Sequence, residues 1–350
     1  MQIEVETFTV NKRFPLTISR GTTAKTTNLW VKILHDGIEG WGEASPFGVG
    51  TSPQSTEIIK NALLQVLPVL QKFSPLQKQA IDAVLNQSRI PSSAKAGLDI
   101  AMHDWLGKQV GLPLWQLWGL DRSYIVHTSV TIGINSPEGA RARARDWLQF
   151  TDVRVFKVKL GNPDGIAADR KMLLAVREEA PDRELYVDAN GGWSLEDAVQ
   201  MCNWLAEVGI KYVEQPLQKG QEERLGNLKK QTSLPIFVDE SCFTSSDIPK
   251  LANYVDGINI KLMKSGGLTE AMRMVHTARA HGLQVMFGCY SDSTLANTAA
   301  LQLAPLADYL DLDSHLNLID DPFTGAILQG GRVLPNDLPG LGVQRSASGA

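Results

Sequence analysis

The sequence predicts an α/β protein in which a long array of alternating strands and helices, arranged as a TIM-like barrel or an open doubly wound sheet, follows a smaller α+β region. Three observations carry that expectation. From Tyr124 onward, eight short β-rich segments alternate with longer helical ones, whereas the first third of the chain has a different texture. Charged residues also gather at one end of the strands of the second region.

In the N-terminal third, residues 3–10 alternate apolar and polar, and residues 28–34 lead through the turn His35-Asp36-Gly37 into 38–43, which reads as a small antiparallel sheet. Residues 54–73 and 77–106 carry apolar side chains at helical spacing, with Ser92 and Ser93 after Pro91 marking a helix that ends near Gly107. The strands of the array are then 125–132, 153–160, 184–187, 210–213, 235–238, 257–260, 284–287 and 307–312. Helices between consecutive strands imply parallel crossovers. An array of about 190 residues is short for a lone (β/α)8 barrel, so an open doubly wound sheet competes with closure. No Gly-x-Gly-x-x-Gly follows the first strand of the array, which removes the main support for a dinucleotide-binding version. The tail over 340–350, rich in Gly, Ser and Ala, is expected to fray.

Composition narrows the function. Apolar residues make up 43% and charged residues 21%, as in folded globular proteins, and the net charge of −4 offers no field for nucleic acid or an anionic membrane. No apolar run reaches the roughly 18 residues of a membrane span. The opening MQIEVETFTV lacks the pattern of a signal peptide. Cys202, Cys242 and Cys289 are odd in number and far apart, against a disulfide framework or a zinc site, and a reducing cytoplasm is the expected location.

The chemistry lies at the strand ends. Lys157 and Lys159 close the second strand of the array, followed by Asp188, Glu214, Asp239 and Lys261 on the next four, at intervals of 22 to 29 residues from Lys159 onward. In a barrel these side chains converge on the C-terminal face, where barrel enzymes hold their active sites. The period of two places Lys157 and Lys159 on one side of their strand. Three carboxylates from successive strands form an oxygen-donor set that suits Mg²⁺ better than zinc. Lysines beside them, with pKa values brought down toward about 7 to 8, would be general bases near neutral pH. Lys159 and Lys261 come from opposite sides of an eight-strand ring, so a racemase or epimerase is one chemistry this geometry permits.

The motifs Lys157-Val-Lys159, Val187-Asp188-Ala-Asn190-Gly-Gly-Trp, Val213-Glu214-Gln-Pro216, Val238-Asp239-Glu240-Ser and Asn259-Ile-Lys261-Leu-Met-Lys-Ser-Gly266-Gly267 together resemble the enolase superfamily, within it the muconate-lactonising-enzyme subgroup. Gly40-Trp-Gly42-Glu43 and Gly97-Leu-Asp-Ile-Ala-Met-His-Asp104 resemble that subgroup's cap. The resemblance implies a (β/α)7β barrel over 124–320, a capping domain over 1–123 with a specificity flap, and a segment over 321–350 that returns to the cap. It implies abstraction of a proton α to a carboxylate, giving an enediolate held on one Mg²⁺ by Asp188, Glu214 and Asp239. Lys159 and Lys261 would be the paired acid and base, and Lys157 would lend positive charge and lower the pKa of Lys159.

Asp311-Leu312-Asp313 resembles the Asp-x-Asp of dipeptide epimerases, where the carboxylates bind the substrate's α-ammonium group. Ile18-Ser-Arg20 resembles the flap segment of the Ala-Glu epimerases, so Arg20 would favour an acidic second residue. Thr131 and Tyr290 are further substrate-binding candidates, although Gly288-Cys289-Tyr290-Ser291-Asp292-Ser293 stands where relatives often carry Met and Glu. The loop over 46–52 would close on the substrate. The resemblance thus implies a Mg²⁺-dependent epimerase inverting the second residue of L-Ala-Glu or related dipeptides. N-acylamino acid racemase, succinylbenzoate synthase or cycloisomerase activity would use the same lysines, and a catalytically silent metabolite-binding barrel is the alternative from another class. The expected partner is a small dipeptide, with assembly of further copies left open.

Other residues have plainer readings. Asp311 and Asp313 could cap a helical turn, and Arg20 could face solvent. Trp41, Trp105 and Trp118 read as core or interface residues. Lys264 lies past the strand end and reads as a solvated loop lysine. The six histidines read as structural.

Overall fold

The computed structural model describes residues 1–49 and 53–346. A three-stranded antiparallel sheet opens the chain, with β1 (Gln2–Ile18), β2 (Gly21–His35) and β3 (Ile38–Ala44) in that order. One face of β2 carries Leu29, Val31 and Ile33, all buried, against α1 (Thr56–Leu70), α2 (Lys78–Ser88) and α3 (Ser92–Val110). Gly40 and Gly42 let α3 lie directly on β3. A Cβ at Gly42 would stand 2.1 Å from the Gly97 carbonyl oxygen, and one at Gly40 2.2 Å from that of Ala101. The expected helical stretch over 77–106 is two helices. Arg89 ends α2 in the left-handed conformation with φ 50°, and Pro91 disfavours helix in the residue before it.

The barrel follows. Its strands are β4 (Ser129–Ile132), β5 (Val155–Lys159), β6 (Glu184–Asp188), β7 (Val213–Glu214), β8 (Ile236–Val238), β9 (Gly257–Ile260), β10 (Gln284–Gly288) and β11 (Tyr309–Asp311), all parallel and in sequence order. A parallel bridge between Thr128 and Leu310 joins the first strand to the last, so the sheet closes and the open alternative falls away. Short α4 (Leu114–Leu117) precedes the barrel, and the helices between its strands include α5 (Pro137–Phe150), α6 (Ile166–Glu179), α7 (Leu195–Glu207), α8 (Glu222–Lys229), α11 (Leu268–Ala280) and α12 (Thr294–Leu301), with shorter α9 (Ile248–Leu251) and α10 (Leu262–Ser265) among them.

Inside the ring, Val155, Tyr186, Tyr212, Phe237, Met286 and Tyr309 pack as a floor distinct from the main core. The Tyr212 ring lies 4.7 Å from that of Phe237 and 4.8 Å from those of Tyr186 and Tyr309. Gly257 leaves the room Phe237 needs, because a Cβ there would come within 2.2 Å of the ring.

The tail is not frayed from Gly340 onward as expected. Gly340, Leu341, Gly342 and Val343 are buried, since Leu341 N–H donates to the buried Asp104 carboxylate at 2.8 Å and Gly340 bonds Leu112 and Leu114. Residues 347–350 lie outside the described residues. Phe323 meets Phe8 and Trp41 edge-on, which carries the C-terminal segment onto the first sheet. Glu43 at the end of β3 crosses to the barrel, accepting from the backbone N–H groups of Ser293 and Ala296 at the start of α12, and from Asn28 and Ser45.

Candidate active site

Each strand of the barrel turns alternate residues inward, so the position two residues past each floor residue reaches the C-terminal mouth. Beyond Val155 come Lys157 and Lys159; beyond Tyr186, Asp188; beyond Tyr212, Glu214; beyond Phe237, Asp239; beyond Tyr309, Asp311 and Asp313. On β9 the corresponding positions are Asn259 and Lys261. All of them are buried.

Buried charges are tolerated only when paired, and here they interlock. Lys157 Nζ, fully buried, lies 2.5 Å from Glu214 and 2.6 Å from Asp311, with Asp188 at 3.7 Å. Lys159 bonds Asp188 at 2.6 Å. Lys261 bonds Asp239 at 2.7 Å and lies 4.5 Å from the centre of the Tyr290 ring. Asn259 donates to Glu214 at 2.8 Å.

The pKa directions follow from these contacts. Burial raises Glu214, Asp188 adds repulsion, and the carboxyl is pushed up to about 7. Burial also opposes ionisation of Asp239, but Lys261 and Lys264 together outweigh it and hold that group well below the usual range. Desolvation alone would lower Lys157 and Lys261, yet the carboxylates against them win and both stand well above the usual lysine value. The downward shift anticipated for site lysines is therefore not seen at these two, whose ammonium groups sit within 2.7 Å of carboxylates.

Asp188, Glu214 and Asp239 are three hard oxygen donors on adjacent strands; the charges of the other two help raise Glu214, while Lys159 and Lys157 outweigh burial and the repulsion of Asp239 and hold Asp188 below the usual range. As the side chains stand, each is turned to a lysine, and among the described residues no three acidic or thiol/imidazole groups converge on a single point. The donor chemistry nevertheless fits a divalent hard cation, whose charge would replace that of the lysine ammonium groups beside these carboxylates.

Two cavities that share Lys159 and Tyr290 in their linings open above this layer. The larger, about 690 Å³, is lined by Lys159 and Lys261 together with Ile18, Arg20, Phe47 and Tyr290. The smaller, about 80 Å³, holds Asp311, Asp313, Thr131 and Lys159. Since β5 and β9 are four places apart in an eight-strand ring, the two lysines reach the larger cavity from opposite walls.

Comparison with known proteins matches this architecture along the whole chain. Residues 2–119 match the mandelate racemase / muconate lactonizing enzyme N-terminal domain, and residues 139–348 the enolase C-terminal domain-like family. The chain belongs to the mandelate racemase / muconate lactonizing enzyme family of the enolase superfamily. A hydrophobic dipeptide epimerase of Roseobacter litoralis is 45% identical over 98% of both chains. An L-Ala-D/L-Glu epimerase of Bacteroides thetaiotaomicron is 37% identical over 95% of this chain and 85% of its own. Among solved structures, a substrate-liganded L-Ala-D/L-Glu epimerase from Bacillus subtilis superposes with TM-score 0.92 at 30% identity, covering 99% of each chain. The dipeptide epimerase from Enterococcus faecalis V583 complexed with Mg and L-Leu-L-Tyr gives 0.91 at 31% identity, over 98% of this chain and 99% of that one.

Within this enolase-superfamily site the anticipated residues take unequal places. Asp311 is held by Lys157 and by Ser129 Oγ at 2.7 Å, and its carboxyl, raised by burial but lowered more by Lys157, stands at about 2. Asp313 has no lysine; it accepts from the Thr131 N–H at 2.7 Å, and burial followed by Asp311 pushes it up to about 6. Arg20 reaches the mouth from the tip of the β1–β2 hairpin, where it pairs with Glu240 at 2.8 Å and donates to the Asn190 carbonyl. Tyr290 stacks on Phe47 with centroids 4.6 Å apart, and its buried hydroxyl has no partner among the described residues. The loop over 46–52 places Phe47 at the mouth, while residues 50–52 lie outside the described residues.

Lys264 departs from its expected solvated place. It is fully buried, bonding Asp239 Oδ1 at 2.7 Å and the Asn259 carbonyl at 3.0 Å, because α10 is one helical turn that brings Lys264 back toward the end of β9. Glu240, which pairs with Arg20, is another group not anticipated as part of the site. Its neighbour Asp239 in the strand-end motif was the available signal.

Proposed function

We propose that this protein is a Mg²⁺-dependent dipeptide epimerase that inverts the α-carbon of the C-terminal residue by two-base 1,1-proton transfer. The observation that carries the reading is a cavity with Lys159 and Lys261 on opposite walls and, beside Lys159, a smaller one lined by Asp313, a carboxylate with no cation paired to it. Asp188, Glu214 and Asp239 would hold the Mg²⁺, which supplies Lewis-acid charge to the substrate carboxylate. Lys159 takes the α-proton from one face, and Lys261 returns a proton to the other; reversal of these roles handles the opposite epimer. Lys157 stays protonated beneath them and stabilises the negative charge that develops on the carboxylate side of the α-carbon. Asp313 receives the α-ammonium group through a charge-assisted hydrogen bond.

The cap, residues 1–123 with 321–350, would supply side-chain selection through Ile18, Arg20 and Phe47. Arg20 is already committed to Glu240, so an acidic second residue must compete with a 2.8 Å ion pair, and an uncharged side chain against Ile18, Phe47 and Tyr290 is the favoured occupant. The L-Ala-Glu reading keeps one observation in its favour, which is that Arg20 lines this cavity.

An Asp313→Asn variant tests the assignment. Its kcat/KM on L-Ala-L-Leu should fall on the order of tenfold to a hundredfold, chiefly through KM, because one charge-assisted contact is lost. Parent enzyme that turns over N-acetyl-L-leucine faster than L-Ala-L-Leu, with Asp313→Asn unchanged on both, would contradict it.

A further inference from the structure

The inward edge of β1 runs Phe8, Val10, Lys12, Phe14, Leu16 and Ile18, so Lys12 is a single cation in an apolar series. It is 7% exposed. Among the described residues its ammonium group has neither an ion pair nor a hydrogen-bond acceptor, although it lines the smaller cavity with Asp311, Asp313, Thr131 and Arg143. Burial opposes its charge, and Asp313, Cys289 and Asp292 offset that only in part.

The chain on both sides of Lys12 is fastened to the barrel. Asn11 donates from its backbone and side-chain amides to Asp320 at 2.7 and 2.6 Å, and Phe14 exchanges two hydrogen bonds of 2.8 Å with the Asn317 amide. Lys12 is thereby held at the cavity wall. A second cation stands nearby, as Arg143 places its guanidinium 4.0 Å over the Phe14 ring.

Were Lys12 present to neutralise Asp313, the two would be in contact. They share the cavity at more than ion-pair distance, and Asp313 is satisfied instead by the Thr131 N–H. An acid and a base that line one small cavity without pairing with each other match a ligand that itself carries separated charges of both signs. The α-ammonium group of a dipeptide answers Asp313. A carboxylate on the side chain of that same first residue would answer Lys12.

We propose that Lys12 is a specificity residue that selects dipeptides with an acidic N-terminal residue, L-Glu-X or L-Asp-X. This rests on the dipeptide epimerase reading above. A carboxylate delivered instead by an N-succinyl group would reach Lys12 but leave Asp313 facing no cation, so the free amine is the better match.

The test follows deuterium entering the C-terminal α-position in D₂O with Mg²⁺, for L-Glu-L-Leu, L-Asp-L-Leu, L-Ala-L-Leu, L-Lys-L-Leu and N-succinyl-L-leucine. The acidic dipeptides should exceed L-Ala-L-Leu in kcat/KM by about tenfold or more through KM, with L-Lys-L-Leu the poorest, as expected for one desolvated charge pair. Lys12→Glu should reverse the order of L-Glu-L-Leu and L-Lys-L-Leu. Wild-type enzyme that prefers L-Ala-L-Leu or L-Lys-L-Leu to both acidic dipeptides overturns the role of Lys12, whether or not the variant folds. Exchange confined to N-succinyl-L-leucine, or absent from every dipeptide, overturns the dipeptide reading itself and this inference with it.

Discussion

The floor and the mouth of the barrel are built from the same strands, two residues apart, and are held by opposite means. Tyr186, Tyr212, Phe237 and Tyr309 form the floor; Asp188, Glu214, Asp239 and Asp311 follow each of them at the mouth. The floor is held by apolar area and ring contacts, which are non-directional and need no partner of particular charge. The mouth is held by buried charges set against one another, Lys157, Lys159, Lys261 and Lys264 against Asp188, Glu214, Asp239 and Asp311, with Asn259 and Ser129 as neutral partners. One register of inward-facing residues thus supplies rigidity below and chemistry above. Substitutions in the two layers should therefore fail differently.

The largest separation should come from the lysines. Lys159→Met and Lys261→Met should each lower α-proton exchange on the order of a thousandfold, within the range for loss of a positioned acid or base. In the proposed reaction each faces one side of the α-carbon, so each variant should lose exchange first for one epimer, read by NMR from L,L and L,D dipeptides separately. Equal loss for both epimers in both variants would break the two-face arrangement.

Tyr212→Ala in the floor should do the reverse. It removes a fully buried ring and should cost about 3–5 kcal/mol in denaturant unfolding. Turnover per folded molecule should remain that of the parent, and a matching loss of turnover would show that the layers are not separable.

A smaller effect is expected where cap meets barrel. Burial, then repulsion from Asp292, pushes Glu43 up from 4.5 to about 7. Its folded value exceeds its unfolded one, so folding favours the protonated carboxyl. That contribution is complete below pH 4.5 and is lost as pH rises toward about 7, by up to about 3 kcal/mol. Glu43→Gln should flatten the stability profile over this interval, measured by thermal unfolding at several pH values; an unchanged slope would assign it to other groups.

Much of the mouth was legible in the sequence because the period of two and the strand-to-strand interval are local properties. Lys157, Lys159, Asp188, Glu214, Asp239 and Lys261 all lie where those periodicities put them. The cap's close packing was written in Gly40 and Gly42, though its cause, the backbone of α3, is contributed by residues about 60 positions away. What was not legible depends on long-range partners. Lys264 reads as a loop lysine until the turn of α10 brings it onto Asp239. The tail reads as frayed until Asp104 is seen to bind Leu341. Arg20 reads as a free cation until the hairpin tip meets Glu240 on a distant strand end. Lys12 had a local signal, a lone charge in an apolar stripe, but its meaning required the cavity that Asp313 shares with it.

The most direct test of the account is transfer of the C-terminal α-proton in D₂O, followed by mass and NMR on L-Ala-L-Leu with Mg²⁺ and again after EDTA. The account predicts gain of one deuterium at that carbon with appearance of the L,D epimer, abolished by EDTA and restored by added Mg²⁺. Inversion that proceeds unchanged in EDTA, or exchange on N-acylamino acids with none on any dipeptide, would contradict it.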